Sequence, residues 1–169
     1  MKKVRENMGL RLLLTALFAA LLSTVATAQG ASVAFGTIAQ DTSLPVEVSS
    51  DELAVDQQTG VAVFTGNVVI GQGDMRLSAG RVEVVYNETA DGIASMQATG
   101  GVTLVSGNDA AEAQRADYSI EAGTIVMRGK VLLAQGASAL SADTMTIRLR
   151  DGTARMQGNV RTRLQTGGN

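Results

Sequence analysis

Four stretches of the chain repeat one pattern around a glycine: FTGNVVIGQGD from Phe64, ATGGVTLVSGND from Ala98, MRGKVLLAQGAS from Met127 and MQGNVRTR from Met156. Gly66, Gly100, Gly129 and Gly158 occupy equivalent places and stand 34, 29 and 29 residues apart by their numbers. A period in this range means that each unit is a small supersecondary piece unable to bury its apolar face alone, so neighbouring units must stack to cover one another.

The alternation inside each unit says what is stacked. Two residues before the glycine stand Phe64, Ala98, Met127 and Met156; two after it stand Val68, Val102, Val131 and Val160; four after it stand Ile70, Leu104, Leu133 and Thr162. Between them lie Thr65, Thr99, Arg128 and Gln157, then Asn67, Gly101, Lys130 and Asn159. Period two with one apolar side is the signature of a strand with one buried face, and helical spacing does not fit. A second strand per unit carries Leu53 and Val55; Val82, Val84 and Tyr86; Ala116, Tyr118 and Ile120; Met145, Ile147 and Leu149. The central glycine of each phrase suits a bend or a close approach within a long strand.

Turn residues separate the strands at two sets of positions. One set is Gln58-Thr59-Gly60, Ala90-Asp91-Gly92, Glu121-Ala122-Gly123 and Asp151-Gly152; the other is Gly71-Gln72-Gly73-Asp74, Ser106-Gly107-Asn108-Asp109 and Gln135-Gly136-Ala137-Ser138. The longer second unit takes up its extra residues around Asn87 to Asp91, at a hairpin tip, so the strand register is kept. The expected class is all-β, with residues 46–164 forming a stack of antiparallel strand pairs. A jelly roll or open β-taco, a flattened barrel and a β-solenoid all satisfy this pattern.

The first segment reads as a secretory signal. Lys2, Lys3 and Arg5 precede an apolar run from Leu12 to Leu22, and Ala26-Thr27-Ala28 is a small-x-small cleavage site before Gln29. A membrane anchor is the other reading, but the run falls short of the ~20 residues a spanning helix needs. Residues 29–45 read as a flexible lead without a motif, and 165–169 as a short tail.

Chemistry is narrowed by what is missing. The chain has no His and no Cys, which removes imidazole bases, thiolates, disulfides and the common zinc sites. Carboxylate-only or lysine-based catalysis stays formally open, but no residue is singled out as catalytic and no metal or cofactor is expected. After Ala28 there are 10 basic and 15 acidic residues, a net charge of −5 that disfavours nucleic acid. Asn87-Glu88-Thr89 matches a glycosylation sequon too short to carry a role.

FTGNV, then LSAGRVEV, and later MQGNV resemble the LptA/OstA-like family of lipopolysaccharide-transport proteins, over about residues 46–164. The resemblance implies a periplasmic OstA-like β-jelly roll that carries lipopolysaccharide from the inner membrane towards the outer membrane. It also implies bridges to LptC-like and LptD-like β-domains. An LptC-like anchored subunit, or an adaptor that joins such domains without holding lipid, is the alternative role.

Under this reading, Phe64, Val68, Ile70, Val82, Val84, Leu104, Val131, Leu133 and Ile147 form an apolar interior groove for lipid A acyl chains. The same alternation equally describes an ordinary packed core. Arg76, Arg81, Arg128 and Lys130 are candidates for headgroup phosphates, or simply solvated surface charges. Val160, Thr162 and Leu164 mark a C-terminal assembly edge, because a stack that does not close leaves unpaired backbone at its last strand. Residues 41–60 carry five acids and no base, whereas 140–169 carry five Arg against two Asp, so opposite ends favour head-to-tail self-association.

Overall fold

The computed structural model describes residues 31–35, 41, 43–87 and 92–163. These residues form eleven strands and no helix: β1 (Ala31–Ala34), β2 (Glu47–Ser49), β3 (Glu52–Asp56), β4 (Val61–Gln72), β5 (Met75–Tyr86), β6 (Ile93–Ser106), β7 (Asp109–Ser119), β8 (Thr124–Gln135), β9 (Ser138–Arg148), β10 (Thr153–Gln157) and β11 (Arg161–Arg163). They make one antiparallel sheet in the order β1-β10-β9-β8-β7-β6-β5-β4-β2, with β3 also on β4 and β11 also on β9. The all-β class expected from the alternation, and the jelly roll of repeated strand pairs that the resemblance implies, are the architecture observed.

The long strands β4, β6 and β8 each bend at a repeated glycine, and the fourth, Gly158, falls at the break between β10 and β11. Gly66 and Asn67 have φ of 78° and 46°, and the equivalent pairs Gly100-Gly101, Gly129-Lys130 and Gly158-Asn159 are also left-handed. Two consecutive residues of this kind oppose a single residue on the partner strand, so the ladder skips from Thr65↔Arg81 to Val68↔Ala79 and from Arg128↔Thr144 to Val131↔Ala142. The facing residue lies very close. A Cβ on Gly66 would sit 2.5 Å from Asp51 Oδ2, and on Gly100 it would sit 3.2 Å from the Gly80 backbone. Asp51 and Asp143 fasten two of these bends identically, each donating its backbone N–H to the glycine carbonyl and accepting an Asn side-chain bond at 2.8 Å.

The aligned bends crease the sheet into two facing layers. The first layer holds the strand halves that meet at the Gly73, Gly107 and Gly136 turns, and the second holds those that meet at Gly60, Gly123 and Gly152. The first-layer turns are two-residue Gly-X hairpins, with Gln72 opposite Met75, Ser106 opposite Asp109 and Gln135 opposite Ser138. Their glycines supply the positive φ that matches strand twist. Since inward residues of both layers face each other, one apolar cluster runs the length of the stack, with Leu104, Ile125, Met127, Leu133, Met145 and Ile147 wholly buried. Burying each such side chain contributes about 1.5–3 kcal/mol.

The two ends of the stack are built alike. β2 and β3 are one strand interrupted at the bend, as are β10 and β11. The stretch read as a flexible lead differs from expectation: Ala31–Ala34 forms β1, paired with β10 at the far end of the sheet. It is held because Val33 packs against the cluster and Phe35, 3% exposed, enters it, while the Phe35 N–H bonds the Gly152 carbonyl. The signal segment 1–28, Leu164 and the tail lie outside the described residues.

Candidate functional site: the interior and its lips

The candidate groove residues are brought together. Val68, Ile70, Val82, Val84, Leu104, Val131, Leu133 and Ile147 are all buried in the common cluster, and half-buried Phe64 packs against it near the β3 end. The layers are in contact. Between Ile70, Met75 and Leu77 of the first layer and Met96, Ala98, Ala116, Tyr118 and Ile125 of the second, a gap of only about 10 Å³ remains. That is about the room one water needs, so the interior is packed as a core.

The margins where the two sets of turns approach each other are its lips, and polar clasps join them. Tyr118, beside the second-layer turn after Ser119, donates its hydroxyl to Gln72 Oε1 at 2.8 Å. Gln72 Nε2 in turn donates to the Leu44 carbonyl at 2.9 Å. Further along, Gln135 Nε2 donates to the Ala34 carbonyl at 2.7 Å and to Asp109 Oδ2 at 2.8 Å. Both layers and the segment before β2 are thereby tied at the mouth. Burial pushes the Tyr118 hydroxyl pKa above its ordinary value, because the phenolate would lose its water.

These clasps went unnoticed in the sequence, yet a signal was present. Counting from Gly66, Gly100 and Gly129, the sixth residue is Gln72, Ser106 or Gln135, on the inward parity of Val68 and Ile70. A polar residue repeatedly placed inward in an otherwise apolar alternation must find a partner inside. Gln72 and Ser106 are 3% and 1% exposed.

The four candidate headgroup residues are separated. Arg76 stands at a lip, its Nη1 donating to the carbonyls of Gly73 and Met75. Arg81, Arg128 and Lys130 instead flank the bends, along the spine opposite the lips, because the glycine they adjoin is the crease and not the rim. Arg81 pairs with Glu83 at 3.4 Å, and Arg128 and Arg115 share Asp117. Arg150 is a lip residue the sequence reading passed over; its Nη2 donates to the Glu121 carbonyl at 2.8 Å.

At the candidate assembly edge, Val160 and Thr162 are exposed and, among the described residues, β11 pairs through one side only, with Thr162 opposite Leu140. The opposite end is uncovered as well: Leu53 and Val55 on β3 are 56% and 60% exposed although their parity is inward. Among the described residues no three His, Cys, Asp or Glu side chains gather as a metal site would require.

A family profile described as LptA/(LptD N-terminal domain) LPS transport protein matches residues 47–153. An uncharacterised protein of Rhizobium meliloti (strain 1021) is 27% identical over 146 residues, covering 82% of this chain and 78% of that one. The lipopolysaccharide export system protein LptA of Escherichia coli (strain K12) is 29% identical over 128 residues, covering 69% of this chain and 66% of its own. Among solved structures, LptH of Pseudomonas aeruginosa, the LptA-homologous periplasmic component of its lipopolysaccharide transport device, superimposes with a TM-score of 0.67 at 16% identity, over 75% of this chain and 99% of its own. With that profile spanning β2 to the start of β10, the chain belongs to the LptA/LptD N-terminal-domain family of lipopolysaccharide transport proteins, a family of transport components and not of enzymes.

Proposed function

We propose that the protein carries lipopolysaccharide through the periplasm by taking its acyl chains between the two layers when the lips part, and that copies and related β-domains join end to end. The observation that carries this reading is the interior itself. Its facing surfaces are apolar along the whole stack, while polar bonds gather at one margin. Parting the lips breaks a few hydrogen bonds worth about 1 kcal/mol each. Acyl chains then replace the contacts between the layers, and burying a chain of about a dozen methylenes contributes roughly 10 kcal/mol before ordering losses. Export through a cleaved signal at Ala28 supplies the compartment, and Arg76 and Arg150 at the lips offer cations to headgroup phosphates.

End-to-end assembly has a matching geometry. β10 and β3 lie in the second layer, β11 and β2 in the first, so the last broken strand of one copy can meet the first of the next in antiparallel continuation of both layers. LptC-like and LptD-like domains of the same build are the partners at the two ends.

A photoreactive side chain at Ile70 or Leu104, with outward Val105 as control, tests the lipid reading in cells. Lipopolysaccharide adducts at the inward sites and not at Val105 are expected. Folded protein without inward adducts would leave an adaptor between β-domains, and the carrier reading would be wrong.

A further inference from the structure

β1 occupies the seat of a neighbouring molecule. On β4, Leu53 lies opposite Phe64 and Val55 opposite Ala62, which are two and four residues before Gly66. On β10, Ala31 lies opposite Met156 and Val33 opposite Ala154, which are two and four residues before Gly158. The two pairings coincide position by position: Ala31 stands where Leu53 would, Ser32 for Ala54, Val33 for Val55 and Ala34 for Asp56. Direction agrees too, since β1 and β3 both run antiparallel to the strand they cover and away from the bend.

We infer that β1 is a built-in stand-in for β3 of a second copy, and that the two compete for the outer edge of β10. This rests on the head-to-tail reading and refines it. The C-terminal end is half covered by the chain's own N-terminal strand, while the outer edge of β11 beside it is open among the described residues. An arriving copy pairs its β2 with β11 without hindrance. It completes the contact by displacing β1, and Leu53 and Val55 then take the inward places of Ala31 and Val33. The exchange suits the arriving strand, because leucine replaces alanine at one inward place, valine replaces valine at the other, and two exposed residues become buried. The acidic 41–60 stretch meeting the arginines of 140–169 favours this partner over an uncharged strand.

Displacement also withdraws Phe35, which is buried at the same end and bonded to Gly152. Docking would therefore unstop the interior at the junction where the next interior begins. Joining the copies and connecting their interiors become one event.

The absence of Cys from the chain makes the test direct. Val33→Cys with Ala154→Cys places two thiols on directly opposite residues of adjacent strands, close enough for a disulfide that staples β1 down. Self-association of the exported protein is measured by sedimentation with the staple oxidised and then reduced. A third sample lacks the chain up to Phe35. The reduced form should associate, the stapled form should associate at least tenfold more weakly, and the shortened form more tightly than either, as removing a competitor from a mostly occupied edge requires. Equal association of stapled and reduced protein would overturn the inference while leaving end-to-end contact through β11 in place. Failure of every form to associate would overturn both.

Discussion

The Tyr118 hydroxyl and Gln72 Oε1 meet at 2.8 Å from opposite layers of the creased sheet. Tyr118 is flanked by apolar neighbours and is 5% exposed, so this bond is made where water cannot substitute for it. Tyr118→Phe keeps the ring and removes the bond. It should lower unfolding stability by about 1–2 kcal/mol in urea titrations. It should also speed lipid uptake, because the lips then part at lower cost; slower uptake in a folded variant would show that the clasp guides lipid instead of holding it out.

The same tyrosine gives a pH signature. Burial raises its folded pKa above the ordinary value near 10, so its neutral form is favoured by folding. That contribution is complete below the unfolded pKa and is lost as pH rises through the folded one. Stability should therefore fall at strongly alkaline pH, and Tyr118→Phe should flatten that fall. Denaturation midpoints across the alkaline range decide it.

Two glycines separate backbone strain from crowding. Gly136 has φ of 55° with nothing within 4 Å of an added Cβ, whereas at Gly66, φ 78°, the Cβ would lie 2.5 Å from Asp51 Oδ2. Gly136→Ala should lose about 1 kcal/mol, the cost of a left-handed alanine, and Gly66→Ala clearly more. Equal losses in thermal unfolding would mean that Asp51 yields freely and does not define the bend.

Much of this architecture was readable because its causes are local. Val68, Ile70, Leu104 and Leu133 announce their face by parity, and Gly66, Gly100, Gly129 and Gly158 announce the bends by recurrence. β1 was not readable: Ala31–Ala34 is short and small, and it pairs with Met156, 125 positions away by number. Nor was the position of Arg81 and Arg128, since being next to a glycine does not say whether that glycine sits at a spine or a rim. Only the direction of the crease decides that, and the crease follows from how neighbouring bends align.

Association should respond to charge at the ends. Arg161 and Arg163 lie exposed on β11, and in the proposed end-to-end contact they meet the acidic 41–60 stretch. Arg161→Glu with Arg163→Glu should weaken self-association, and raising salt from about 0.05 to 0.5 M should weaken the unaltered protein while affecting the double variant less. Sedimentation across the salt series measures this. Identical salt slopes would remove these arginines from the contact.

The row of bends has a mechanical meaning for units that, as proposed, join end to end. At each bend the ladder loses its regular rungs, at Thr65/Val68, Thr99/Val102 and Arg128/Val131 alike, so the weak points fall on one line. Folding stiffness is lowest about that line. Tension applied from end to end crosses it nowhere, being borne in parallel by the hydrogen bonds of both layers. A material with this grain yields sideways and resists stretching, so a chain of such units could flex open at any point of its length without coming apart.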